Sequence, residues 1–304
     1  MTEQPRDALL ISPEQLAAEL GQADLLVLDV RWRLDQPDGR AEFAAGHIPG
    51  AIYVSLHDEL AQAGAATDGR HPLPTIERFR AAARRWGMTE HTRVVVTDDT
   101  HSWAAGRAWW VLRYAGHEQV RVLDGGLEAW RAAGLPLERG SGLPLERGAG
   151  GGAHLATEEP STASASASLP ALEFGACAVL SIDDVAELAQ SGQVLDARAP
   201  ERYRGEVEPL DPRAGHIPGA RNAPVASVFD ADGRFRSAEE LREQFLALGV
   251  NPDAPVGVYC GSGVSATPVV LALSLAGFQP ALYPGSWSAW SNHADRPVAT
   301  GEAS

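Results

Sequence analysis

The chain has only two cysteines, Cys177 and Cys260, among 304 residues. Two are too few for a disulfide framework, and nothing around them suggests a zinc site. Positive charge is also scarce. Lys and Arg number 25 against 40 Asp and Glu, a net charge of −15. A protein that grips a phosphate backbone needs a basic face, and no basic cluster of that kind occurs, so nucleic acid is not an expected partner. The acidic excess mainly promotes solubility. Long apolar runs are missing as well. None reaches the roughly 18 residues that would suggest a bilayer span, so no membrane partner is expected. Met1 to Leu10 lacks a basic stretch followed by an apolar core, so no signal peptide is read. The expected setting is cytoplasmic and reducing, which keeps a thiol usable.

What is present is a sequence that states its pattern twice. Val27-Leu28-Asp29-Val30-Arg31 is followed by Ala45-Gly46-His47-Ile48-Pro49-Gly50-Ala51. Val194-Leu195-Asp196-Ala197-Arg198 is followed by Ala214-Gly215-His216-Ile217-Pro218-Gly219-Ala220. Val94–Asp98 then answers Val256–Cys260, and Leu123–Trp130 answers Tyr283–Trp290. The offset between copies is about 160–169 residues, which fits a tandem duplication rather than a many-repeat solenoid. Length and a hydrophobic content of 44% suit two ordinary globular domains. The copies differ where chemistry is expected: the second places Cys260 at a strand end, the first places Asp98.

Each copy opens with a helix start. Ser12-Pro13-Glu14-Gln15 is a capping box with proline at the first helical position, and Ser181-Ile182-Asp183-Asp184 is its counterpart. Short apolar strands follow at Leu25–Leu28 and Gln193–Leu195. Further helices are predicted near Thr75–Trp86, Trp103–Ala115, Ser237–Leu248 and Thr267–Ala276. Strands alternating with such helices specify an α/β fold, with a parallel sheet covered on both faces in each domain. The expected organisation is a first domain over 1–135, a connector over 136–178 and a catalytic domain over 179–304. The connector carries the heptapeptide GLPLERG twice, then a Gly run and a Ser/Ala run, a composition that buries little apolar area. It is expected to be flexible and without chemistry.

Cys260-Gly261-Ser262-Gly263-Val264-Ser265-Ala266 links a strand to a helix whose first turn holds Pro268. The glycines let the loop curl with its amide N–H groups inward. The helix N-terminus adds partial positive charge. Both effects stabilise an anion at the sulfur, and the end of such a strand is where ligands bind in sheets of this type. Cys177 borders the connector, has no glycine loop, and is read as non-catalytic.

The CGSGVSA loop, the paired HIPGA segments and the DGG and PGSW segments resemble those of the tandem rhodanese family of sulfurtransferases. The resemblance covers both halves outside the connector. Within the family the loop is similar to that of the 3-mercaptopyruvate sulfurtransferases, with Ser265 in place of a threonine. It differs from the CRKGVT loop of animal thiosulfate sulfurtransferases, since Gly261 and Ser262 are neutral. The resemblance implies nucleophilic catalysis by Cys260 through a persulfide cradled by Gly261, Gly263, Val264 and Ser265. It implies that Arg202 and Arg213 hold a substrate carboxylate, which a guanidinium meets with two parallel hydrogen bonds. It further implies that His71, in Gly69-Arg70-His71-Pro72, enters the interdomain cleft and orients Ser262. Ser55, His57 and Asp58 do not reproduce an aspartate expected near that histidine, so a Ser–His–Asp relay is not supported. Arg31, Arg198, His47 and His216 occur in both copies and are read as fold elements.

The expected donor is 3-mercaptopyruvate, with thiosulfate as the alternative. The expected acceptor is cyanide or a thiol, such as thioredoxin or a small dithiol, and no cofactor or metal is called for. Two other classes share the fold. A cysteine phosphatase needs an arginine six or seven residues after its cysteine, where Ala266 and Thr267 stand here. A non-catalytic sulfur-carrier or interaction module would not need the intact Cys260 loop.

Overall fold

The structure, a computed structural model, describes residues 6–140 and 170–302. Two parallel sheets organise it. The first contains β1 (Leu10–Ile11), β2 (Leu25–Asp29), β3 (Ile52–Tyr53), β4 (Arg93–Thr97) and β5 (Val120–Leu123), in the order β1-β5-β4-β2-β3. The second contains β6 (Val194–Asp196), β7 (Arg221–Asn222), β8 (Pro255–Tyr259) and β9 (Gln279–Leu282), in the order β7-β6-β8-β9. Every strand pair is parallel. The central strands are buried on both faces, which is why Val94-Val95-Val96 and Val256-Gly257-Val258 do not alternate with polar residues.

The helix starts lie where the caps place them. Ser12 Oγ accepts the Gln15 N–H at 3.2 Å, and Gln15 Oε1 accepts the Ser12 N–H at 2.9 Å, opening the helix Pro13–Glu19. Ser181 with Asp184 and Ser237 with Glu240 repeat the device. Each cap satisfies N–H groups that a helix N-terminus otherwise leaves open.

The connector's Gly and Ser/Ala runs and the second GLPLERG copy lie outside the described residues. Its two ends differ from the expected loose segment, because apolar groups in them find partners. The Trp130 indole donates to the Pro136 carbonyl at 2.8 Å, and the backbone of Glu138 pairs with that of His47. On the far side Leu172 is buried, Phe174 stacks on Tyr114 at 4.8 Å, and the Leu282 N–H donates to Ala178 O at 3.1 Å.

The two halves meet through the helices Trp103–Tyr114 and Thr267–Leu275. Residues 104–112 of the first are all buried, and so is nearly all of the second. Helices buried all round have no face for solvent, and here each lies between its own sheet and its counterpart. Because one follows Asp98 and the other follows Cys260, their packing brings the two strand-end loops to a common cleft. Gly106 permits the approach: a Cβ there would lie 2.9 Å from Thr267 Oγ1 and 3.1 Å from Pro268 Cδ.

Gly106→Leu is therefore expected to destabilise the protein by about 1–3 kcal/mol through overpacking and to lower activity by parting the two loops. Thermal unfolding read beside turnover checks this, and an unchanged melt with full turnover would show that the helices are not held at that separation.

Candidate active site

Cys260 follows β8 and is 1% exposed. Its sulfur accepts the Gly263 N–H at 3.2 Å. Gly263 has φ +76, and a Cβ there would run into the Pro284 carbonyl oxygen, so glycine is required on two counts. The segment Pro284-Gly285-Ser286-Trp287-Ser288 braces the loop from outside. Ser286 Oγ accepts the Cys260 N–H at 3.1 Å, while the Trp287 and Ser288 N–H groups donate to the Cys260 and Gly261 carbonyls, both at 2.9 Å. These bonds turn loop carbonyls away from the sulfur.

The other domain closes over the thiol. His71 is 4% exposed, and its Nδ1 lies 2.8 Å from Ser262 Oγ. Burial, with the charges of Arg107, His57 and Arg70 behind it, pushes the His71 imidazole down to about 3, so the ring is neutral at neutral pH. His57 approaches it ring to ring at 5.0 Å, and Trp32 meets it edge-on at 5.4 Å. Asp58 is turned to Ser55 Oγ at 2.8 Å.

Arg70 and Arg202 flank Gly261. A Cβ at that glycine would stand 3.0 Å from an Arg70 terminal nitrogen and 3.4 Å from one of Arg202. Both cations share Asp211: Arg70 pairs with one oxygen, and Arg202 lies 3.3 Å from the other. Arg202 also bonds Glu208 at 2.6 Å. Burial holds the Asp211 carboxyl above its usual range despite the two arginines, with Glu208 adding to the rise. Val264 is buried, Ser265 is half-buried, and both line a cleft of about 750 Å³ with Gly261, Ser262, Arg70 and Arg202.

Arg213 is not brought to this site, contrary to the expectation for it. Its guanidinium is spent on the carbonyls of Ser291, Arg296, Trp290 and His293, at 2.6–2.9 Å. It ties down the end of the last helix, Ser286–Asn292. Arg70, from the other domain, stands beside Gly261 where a second cation was expected. Arg70 adjoins His71 in sequence and could have been read from that neighbourhood.

The first domain repeats the seat with a different occupant. Asp98 is fully buried and accepts N–H bonds from Thr100, Ser102, Ala104 and Ala105 at 2.9–3.1 Å. Burial raises this carboxyl against the pull of those amides. Arg31 clamps Asp29 at 2.7 and 2.9 Å and the Gly46 carbonyl at 2.9 Å, and Arg198 does the same to Asp196 and Gly215. His47 and His216 each place Nδ1 at 2.8 Å from a carbonyl, of Phe43 and Tyr203, and stack on those rings. Cys177 lines a separate cavity with Trp109 and Phe278.

A rhodanese-like domain is matched over residues 12–133 and again over 181–293. The chain belongs to the rhodanese family of sulfurtransferases. A putative thiosulfate sulfurtransferase, SseB, of Mycobacterium tuberculosis is 44% identical over 99% of this chain and 100% of its own length. A probable 3-mercaptopyruvate sulfurtransferase of Pseudomonas aeruginosa is 42% identical over 97% and 99%. The crystal structure of the 3-mercaptopyruvate enzyme SseA from Escherichia coli superposes with a TM-score of 0.73 at 32% identity, over 91% of this chain and 98% of that one. Two rhodanese domains thus account for both sheets, with one thiol loop between them.

In this rhodanese pair the neutral His71 has a consequence for acid stability. Between its ordinary value of 6.5 and about 3, the unfolded chain holds a proton on this ring that the folded chain refuses. Stability is therefore lost as pH falls. From pH 7 to pH 5 the wild type is expected to lose about 2 kcal/mol more than His71→Gln. Denaturant unfolding at both pH values checks this, and equal losses would show that the folded ring accepts the proton.

Proposed function

We propose that this sulfurtransferase moves sulfane sulfur from 3-mercaptopyruvate to a thiol or cyanide through a persulfide on Cys260. The single observation that supports it best is the thiol in its amide-lined loop, flanked by Arg70 and Arg202 rather than by cations within the loop. Mercaptopyruvate carries its charge on a carboxylate remote from the sulfur, so cations one residue's breadth from the thiol suit it. Thiosulfate concentrates its charge beside the sulfur that is transferred.

In the first half-reaction the Cys260 thiolate attacks the donor sulfur. The carbon–sulfur bond breaks, and its electron pair passes into the enolate of pyruvate, which then takes a proton. The S–S bond of the persulfide forms, and no external oxidant is consumed. Arg202 and Arg70 hold the donor carboxylate. The Ser262 hydroxyl, oriented by neutral His71, supplies a hydrogen bond to the developing enolate oxygen. Gly261, Gly263, Val264 and Ser265 present the amide edge on which the persulfide rests. In the second half-reaction the acceptor attacks the outer sulfur and regenerates the thiolate. The acceptor class is a small dithiol, a thioredoxin-like protein or cyanide. A reducing cytoplasmic compartment belongs to the same proposal, since both cysteines are free. No helix among the described residues is long and apolar enough to cross a membrane.

Mass spectrometry after incubation with donor is expected to find one added sulfur atom at Cys260, and none in Cys260→Ser, which should have no turnover. Turnover by a folded Cys260→Ser protein would end the proposal. The donor is tested separately, because the Mycobacterium relative carries the thiosulfate name. Arg202→Ala is expected to lower kcat/KM for 3-mercaptopyruvate by about 10- to 100-fold, the loss of a charged hydrogen-bonding partner, and to affect thiosulfate less. Equal losses on both donors would remove Arg202 from carboxylate binding and favour thiosulfate.

A further inference from the structure

Arg107 stands in the middle of the helix Trp103–Tyr114, with only small and apolar neighbours for a turn on either side. It is completely buried. Among the described residues it has no carboxylate partner: its Nη1 donates to Gly263 O at 3.0 Å, its Nη2 to His71 O at 3.0 Å, and its Nε and Nη2 to Leu60 O, both at 3.2 Å. A buried cation without an anion is costly, and three carbonyls offset only part of that cost. We propose that Arg107 is a positioning residue for the sulfur chemistry, serving from the thiol-less domain as the counter-cation of the Cys260 thiolate and as the strut that sets its loop amides. The inference rests on the reading of Cys260 as the nucleophile.

Three observations carry it. The first is the bond to Gly263. The Gly263 N–H faces the sulfur at 3.2 Å while the Gly263 carbonyl is held by Arg107. In a planar trans peptide the N–H of the next residue points opposite to that carbonyl. Pinning Gly263 O to the guanidinium therefore turns the Val264 N–H away from Arg107, back into the loop. The second is charge. Burial depresses the guanidinium to about 10, and the opposing influence is the charge of Cys260. The third is asymmetry. The matching turn of the other buried helix, Thr267-Pro268-Val269, has no charged residue, and the loop it would serve already has its seat filled by Asp98, held by four backbone N–H bonds. The same guanidinium holds the carbonyl of His71, so the loop and the ring that meets Ser262 are registered by one group.

The charged and titratable groups beside the loop are Arg107 from this helix, Arg70 and His71 from the first domain's long loop, and Arg202 from beyond β6, while Arg33, Asp35, Asp99, His101 and Arg198 line the same cleft. Arg70 and Arg202 are matched by Asp211 and Glu208. Among the described residues Arg107 is not matched by any carboxylate.

The test is the pH midpoint of iodoacetamide alkylation at Cys260, followed by mass spectrometry in the full-length protein. Arg107→Met keeps the volume and removes the charge. Its midpoint is expected to rise by about one pH unit, the range a neighbouring charge commonly produces. Its kcat should fall about 10-fold or more, with KM for the donor within about 3-fold, because Arg107 does not line the cleft. Arg107→Lys keeps the charge and should hold the midpoint within a few tenths of a unit, which a purely packing role does not predict. An unchanged midpoint in folded Arg107→Met would overturn the proposal. Should that variant fail to fold, a midpoint displaced by a full unit in Arg107→Lys would overturn it equally. Alkylation needs no sulfur donor, so these results stay distinct from a failure of the proposed transfer reaction.

Discussion

The packing of two helices with no polar face is the constraint on which the site depends. Trp103–Tyr114 and Thr267–Leu275 are buried against each other and their own sheets, the second also against the helix Ala238–Ala247. Each begins where a central strand has ended in a turn of inward N–H groups. Burying the helices together therefore places both strand ends at one cleft and leaves no freedom to build the site elsewhere. Loop precision is then set by the braces around it: Gly285–Ser288 on one side, His71 and the Leu60 carbonyl's partner on the other.

Duplication supplied two seats for an anion, and the occupants differ in kind. In the first domain the carboxylate of Asp98 saturates its amides with four N–H bonds and is sealed from solvent. In the second, sulfur receives a single N–H at 3.2 Å, which leaves the remaining amide edge open to a ligand atom. A permanently filled seat is structural, whereas a partly filled one can accept and release. On the proposed reading, the same peptide geometry stabilises one domain and serves reactivity in the other.

Much of this was legible in the sequence because local rules act alone there. Capping boxes at Ser12 and Ser181 fixed helix starts, and the apolar runs at Val94 and Val256 fixed the two central strands. The repeat separated shared fold elements, the arginine clamps on Asp29 and Asp196, from the unshared thiol. What could not be read is whatever depends on contacts between domains. Arg213 lies near Arg202 in sequence, yet its guanidinium meets four carbonyls at the end of the last helix. Arg70 and Arg107 lie far from Cys260 in sequence and reach its loop across the cleft. A solitary cation in an apolar helix was the one available sign of Arg107. The packed ends of the connector, Glu138 and Leu172, were hidden because their partners, His47 and the first domain's core, are remote in sequence.

Asp211 sits between a guanidinium of each domain and Glu208 takes the far side of Arg202, so the row Arg70–Asp211–Arg202–Glu208 balances its charges. On the proposed reading, a keto acid engages those two guanidiniums, and it does so through a carboxylate that the reaction never alters. Pyruvate leaves with the same handle by which mercaptopyruvate entered. On that reading the two share one grip, only the sulfur tells them apart, and the product is a rival of the donor for it.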